Sequence, residues 1–275
     1  MTDLAPRRAA FRALHAQGCF VIPNPWDVGS ARLLAGMGFQ ALATTSGGFA
    51  HSEGLADGTV PLERMLEHIR TLVQATELPV NADFLDAYAK EPEGVAANVR
   101  RCVETGVAGL SVEDMAPDHT LYDPALALER VRAARAAIDA SGADVLLTAR
   151  CEAFLVGHAE PLQEACRRLE AFAGAGADVV YATGPRDAAA IRAVVSAVAP
   201  RPVNVLVMGP ALSVAELAAL GARRLSVGGR LAQVALGAFL RTARAIAAEG
   251  SFAGLAGAEP SAELNRFFRA WPAKA

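Results

Sequence analysis

Long runs of like-signed charge are missing from this sequence. Twenty-six Lys plus Arg stand against twenty-nine Asp plus Glu, a net charge of −3, so there is no electrostatic footprint for nucleic acid or for an anionic membrane surface. The expected partner is a small molecule. Cysteine is also sparse: Cys19, Cys102, Cys151 and Cys166 form no CxxC pair and read as reduced thiols that fill space as small apolar side chains. The first residues have no apolar signal core followed by a cleavage site. Arg7, Arg8 and Arg12 instead mingle with Phe11 and Leu14, and a cytoplasmic location is expected. No apolar span of about 20 residues occurs either. The longest charge-free stretch, 33–52, is broken by Gly36, Gly38, Gln40, Gly47 and Gly48, so no membrane segment is expected despite a mean hydropathy of +0.27. Aromatics make up only 6% of the 275 residues, whereas 53% are apolar, which describes a globular chain with one large, alanine-rich core.

Against that background the chain repeats one pattern. Short apolar or β-branched runs at 19–25, 40–46, 79–85, 109–114, 144–150, 178–184, 202–208 and 223–229 are separated by alanine-rich stretches, each long enough for a helix. Several are apolar without alternation, as in parallel strands covered by helices. Glycines recur where helices should end, as at Gly36, Gly106, Gly174 and Gly221. Eight βα units predict a (β/α)₈ TIM barrel preceded by an N-terminal helix, in a single domain of residues 1–275. A doubly wound sheet is disfavoured because no GxGxxG follows the first strand. Two further helices are predicted at 231–248 and 261–271. The second carries Leu264, Phe267, Phe268 and Trp271 at helical spacing, and residues 250–275 form a C-terminal extension. That stripe covers the barrel's own flank or forms a subunit contact in a homodimer or homotetramer.

Barrel chemistry sits where strands end. There the sequence places Asn24 and Asp27, then Thr45, Ser46, Gly47 and Gly48, then Asp83 with Asp86 behind it, Glu113-Asp114, Arg150 and Glu152, Tyr181 and Thr183, Asn204, and Ser226. Asp83 and Glu113, on neighbouring strands, together with Asp57 in the loop after the second, can surround one hard cation. Magnesium suits such oxygen ligands, with manganese as the alternative. Arg150 offers a fork to a substrate carboxylate, and the Ser46-Gly47-Gly48 turn offers backbone N–H groups to the same anion. Each residue also has a plainer reading. Asp27 reads as a helix N-cap, Asp57 before Gly58 as a turn residue, and Glu113, Asp114 and Arg150 as a structural ion network. His51, His119 and His158 fall in loops.

These stretches, Asn24-Pro-Trp-Asp-Val-Gly-Ser-Ala-Arg, Thr44-Thr-Ser-Gly-Gly, Leu55-Ala-Asp-Gly, Pro79-Val-Asn-Ala-Asp, Gly109-Leu-Ser-Val-Glu-Asp and Thr148-Ala-Arg-Cys-Glu-Ala-Phe, resemble in order the isocitrate lyase and phosphoenolpyruvate phosphomutase superfamily. The resemblance covers most of the chain. It implies magnesium bound through Asp83 with Asp57 and Glu113 holding its waters. It further implies a substrate carboxylate met by Ser46, Gly47, Gly48 and Arg150, and chemistry through a pyruvate-type enolate; Thr45 and Asn204, at strand ends, are expected to join the substrate site. It also implies exchange of the last barrel helix between subunits. Two departures are visible. Leu85 stands where the superfamily has a second acid, with Ala87 and Ala89 in place of glycines, so either Asp86 is the substitute ligand through a distorted loop or the metal shell is one carboxylate short. The loop after the fourth strand reads Glu113-Asp-Met-Ala-Pro-Asp-His-Thr-Leu-Tyr-Asp, without the cysteine and lysines of the isocitrate lyases or the lysine and asparagine of the phosphomutases. His119 and Tyr122 are its only side chains suited to proton transfer. The expected activity is cleavage or formation of a C–C bond in a small 2-oxo or 2-hydroxy di- or tricarboxylate, with catalytic roles for Arg150, Glu113 and His119. The alternatives are C–P bond chemistry and a non-catalytic 2-oxo acid binding protein. A phosphate grip at Met208-Gly-Pro and Gly228-Gly-Arg ranks last.

Overall fold

A computed structural model describes residues 4–271. Elements alternate along the chain: α1 (Ala5–Ala16), β1 (Phe20–Ile22), α2 (Val28–Gly36), β2 (Leu42–Ala43), α3 (Ser46–Ser52), α4 (Leu62–Ala75), β3 (Val80–Asp83) and α5 (Pro92–Val103). They continue as β4 (Gly109–Glu113), α6 (Pro124–Ala140), β5 (Leu146–Cys151), α7 (Pro161–Gly174), β6 (Val179–Ala182), α8 (Ala188–Val198), β7 (Val203–Leu206), α9 (Val214–Ala219) and β8 (Arg224–Ser226). Every strand falls in a run predicted from the sequence, β5 extending one residue past its expected end at Arg150.

All strand pairs are parallel and follow the order β1-β8-β7-β6-β5-β4-β3-β2. The remaining seam is bridged rather than laddered: Ala43 N donates to Pro23 O at 3.0 Å and Asn24 Nδ2 to Thr44 O at 2.9 Å. This is a (β/α)₈ TIM barrel. The helices bury their inward stripes against strands that are apolar on both sides, in one continuous core that includes Met65, Ile69, Val99, Val112, Leu147, Leu169 and Ile191.

One end of the barrel is filled by α1. Phe11 is fully buried with Phe20, Ala41, Ala108 and Leu146, all at strand starts, and Arg8 Nε donates to Val107 O at 3.1 Å. Gly109 opens β4 at this contact because a Cβ there would lie 2.7 Å from the Phe11 ring. With the N-terminal end closed, the C-terminal strand ends are left for chemistry.

Packing divides the chain into two units, one ending at Gly229 and one beginning at Arg230. The second unit holds α10 (Arg230–Glu249), a 3₁₀ turn (Ala253–Gly257) and α11 (Ser261–Ala270). Ala232 is the one buried residue of α10, while Val234, Leu236, Phe239 and Leu240 are exposed. Among the described residues α10 is also the helix long and apolar enough to cross a membrane. Arg241 and Arg244 in its second half would make such a crossing costly, so its composition reads as amphipathic.

Candidate active site

Strand alternation delivers the site. Glu113 and Arg150 are register partners on β4 and β5, Arg150 pairs in turn with Tyr181 on β6, and Asp83 ends β3 on the other side. Their side chains meet at the C-terminal mouth. Arg150 Nη1 donates to Asp83 Oδ1 at 2.7 Å and Nε to Glu152 Oε1 at 2.9 Å. Nη2 lies 2.8 Å from Glu152 Oε1 and 3.2 Å from Glu113 Oε2. The guanidinium carbon sits 4.9 Å from the centre of the Tyr181 ring, adding a cation–π contact.

Each carboxylate is positioned separately. Asp83 Oδ2 accepts from Ser46 N at 3.0 Å, and Thr44 Oγ1 accepts from Asp83 N at 2.8 Å, which ties β3 to the start of α3. Thr45 caps that helix by accepting from Gly48 N at 3.2 Å. Gly47 lets Asp57 approach α3 closely: a Cβ there would lie 2.8 Å from Asp57 Oδ2, the end of an otherwise exposed side chain. Glu152 is wholly buried. Its Oε1 also accepts from Thr183 Oγ1 at 2.9 Å, while its Oε2 is buried without a partner. Behind it, Asp114 accepts from Glu152 N at 2.8 Å and pairs with buried Arg168.

Three carboxylates around one guanidinium leave excess negative charge in a buried place. Burial pushes the Glu113 carboxyl well above the usual range even though Arg150 pulls it down, and burial likewise raises Glu152. For Arg150 burial works against the charged form, but Glu152, Glu113 and Asp83 outweigh it and hold the guanidinium ionised more firmly than usual. An oxygen-only donor set with surplus negative charge fits a hard divalent cation held by one or two carboxylates and water. A cage of protein ligands does not exist: among the described residues no three His, Cys, Asp or Glu side chains are placed to close on one ion.

The structure thus brings Asp83, Glu113, Arg150 and the Thr45–Gly48 turn together, with Asp57 beside Gly47. Asp86, Asn204 and His119 make no hydrogen bond to this cluster and have other surroundings. Asp86, the expected substitute for the acid missing at Leu85, has both carboxylate oxygens engaged: Oδ2 accepts from Tyr122 Oη at 2.9 Å and Oδ1 from Tyr88 N at 2.9 Å. The reason is the winding of the loop. Leu85, Ala87 and Tyr88 take left-handed φ of 48°, 59° and 55°, and Arg130 and Asn98 grip the backbone carbonyls of the loop. Asn204 is spent inside the barrel, donating to Ser226 Oγ and accepting from Arg224 Nε, each within 2.9 Å. His119 occupies the exposed tip of a small hairpin closed by Ala116 N to Thr120 O and Tyr122 N to Asp114 O. Glu152, which the sequence places at the strand ends without a role, proves to be a direct partner of Arg150. It stands two positions after Arg150, and the strand period of two is the signal that puts both side chains in the same mouth.

A parallel barrel whose C-terminal mouth gathers acids around one arginine defines a class: (β/α)₈ barrels with a buried cluster of ion pairs at the strand ends. The phosphoenolpyruvate phosphomutase family profile matches residues 11–247, and the chain belongs to that family, within the isocitrate lyase and phosphoenolpyruvate phosphomutase superfamily. A provisionally assigned lyase/mutase from Burkholderia cenocepacia J2315 is 47% identical, with a TM-score of 0.94 over 98% of this chain and 99% of that one. The structure of 2,3-dimethylmalate lyase is 26% identical, with a TM-score of 0.84 over 97% and 95% of the two chains. Oxaloacetate decarboxylase of Rhodopseudomonas palustris strain BisB18 is 28% identical over 80% of this chain and 77% of its own.

Proposed function

We propose that this protein is a divalent-metal-dependent carbon–carbon lyase acting on a small 2-oxo or 2-hydroxy dicarboxylate through a pyruvate-type enolate. The observation that carries the reading is the convergence of Asp83, Glu113 and Glu152 on Arg150 at the strand ends. Lyase activity of similar proteins, 2,3-dimethylmalate lyase and oxaloacetate decarboxylase among them, supports it. Arg150 and the backbone of the Ser46–Gly48 turn bind the substrate carboxylate and orient it. Asp83, backed by Asp57 and Glu113, would hold magnesium or manganese, which supplies charge stabilisation for a developing enolate. Glu113, whose carboxyl is pushed well above the usual range by burial, is the side chain placed to pass a proton at its carboxyl oxygens, a role expected from the sequence for His119 as well. Thr183 and Tyr181 keep the Arg150–Glu152 unit in place from β6.

Self-association belongs to the same proposal, because the exposed apolar face of α10 needs cover that a second copy would give. The test is turnover of a panel containing oxaloacetate, 2-methylisocitrate and substituted malates, with magnesium and with chelator. Release of a 2-oxo acid that requires magnesium and vanishes in Asp83→Ala is the expected result. Tight 2-oxo acid binding with no turnover would replace the lyase by a binding protein, and phosphorus NMR of reactions with phosphonopyruvate reads out C–P chemistry.

A further inference from the structure

The Arg150 fork has no nitrogen to spare. Nε faces Glu152, Nη2 faces Glu152 and Glu113, and Nη1 faces Asp83. Bidentate recognition of a carboxylate needs two parallel N–H groups. A substrate anion can therefore seat on this arginine in the bidentate way only by taking a place that a protein carboxylate holds now. The three incumbents are not equally replaceable. Glu152 is fully buried, is fixed by Thr183 Oγ1 and by the strand it belongs to, and turns no face to solvent. Glu113 is nearly as deep, at 5% side-chain exposure. Asp83 is the outermost, at 19%, and alone bridges Arg150 to the Ser46 backbone N–H, the other group proposed for the anion. Asp83 Oδ1 on Nη1 and Oδ2 on the Ser46 N–H together trace where a substrate carboxylate would lie.

Resting on the reading of Arg150 as the carboxylate binder, we infer that Asp83 is an internal competitor for that site: its carboxylate occupies the anion's hydrogen-bond donors and must release Arg150 before a substrate carboxylate can bind. Asp83 thereby acts as a positioning residue that gates Arg150. A consequence follows by linkage. Whatever draws the Asp83 charge toward itself, a divalent cation above all, frees the fork and raises anion affinity, and the anion raises cation affinity by the same factor.

The test is calorimetric titration of metal-stripped protein with malonate, an anionic dicarboxylate that requires no turnover. Asp83→Asn keeps the side chain's shape and removes its charge. The expected result is malonate affinity about tenfold tighter than wild type, a typical size for such coupling. Part of any gain could come from lowering the bulk negative charge, which salt screens. The gain is therefore measured again in about 0.5 M NaCl, where it should persist if the competition is direct. In wild type, magnesium should tighten malonate binding by a similar factor, and in Asp83→Asn that effect should disappear. Equal or weaker malonate binding in Asp83→Asn, a gain abolished by salt, or magnesium coupling that survives in the variant would each overturn the inference. The readout is binding alone, so absence of lyase activity would sink the functional proposal and leave this one standing.

Discussion

Arg130 shows how much a single side chain can carry in this barrel. It is 1% exposed, lies 4.0 Å from the Tyr122 ring centre, and donates to the backbone carbonyls of Asp86, Ala89 and Lys90, so the left-handed loop after β3 hangs on it. Arg130→Met leaves those carbonyls without a donor and should cost about 3 kcal/mol, a drop of roughly 6–12 °C in Tm by thermal melt. His68 makes a second prediction. Stacked on Phe49 at 3.7 Å with Nε2 buried and unpartnered, it is pushed down by burial from 6.5 to about 4. The folded protein keeps it neutral while the unfolded chain takes up a proton below 6.5, so its contribution to stability is present above that pH and is lost as pH falls toward 4. His15, pushed by burial and then by Arg224 to about 3, acts in the same direction. Glu113 and Glu152 are raised in the fold and act in the opposite direction. The clean observable is a difference: His68→Phe should match or exceed wild-type Tm at pH 7, and its advantage should widen at pH 5. A constant difference between the two pH values would contradict the assignment.

At the scale of elements, apolar patterning made the architecture legible and loop winding concealed part of the site. The eight strands were readable because each is an apolar run between glycine-punctuated helices, and parallel pairing asks nothing more specific of a sequence. Asp83, Glu113 and Arg150 were readable because a charge ending an apolar strand must find a partner. Asp86 and His119 were misplaced because both sit in turns with positive φ, where no strand or helix period gives the direction of a side chain. Asn204 was misplaced for another reason. Its strand position is correct, but Arg224, a buried arginine held by the neutral groups of Asn204 and Thr148, claims its carbonyl oxygen. The short helix α3 gives the test at this scale. In Gly47→Ala the new methyl group meets only the flexible end of Asp57, so Tm should stay within about 2 °C of wild type. With Asp57 displaced from the site, kcat/KM should fall by about tenfold. A large loss of Tm would mean that Gly47 serves the fold rather than the site.

For the whole molecule, the barrel supplies a rigid frame closed at one end by α1, and its other end concentrates the excess negative charge that the modest net charge of −3 does not reveal. The unit that begins at Arg230 contains both C-terminal helices expected from the sequence, α10 and α11. Its exposed Val234, Leu236, Phe239 and Leu240 lead to a prediction about assembly. Light scattering should give a mass that is a multiple of the 28.5 kDa chain, and Val234→Asp with Phe239→Asp should reduce it to one chain.

The central claim is that Arg150, ringed by Asp83, Glu113 and Glu152, binds the carboxylate of a 2-oxo or 2-hydroxy acid that the protein cleaves. The most direct measurement is steady-state kinetics of wild type and Arg150→Lys on whichever dicarboxylate of the panel turns over with magnesium. A lysine keeps the charge and loses the planar fork, so the account predicts a fall in kcat/KM of about a hundredfold, expressed mainly in KM. Unchanged kinetics in Arg150→Lys, or no turnover of any 2-oxo or 2-hydroxy acid by the wild-type protein, would contradict it.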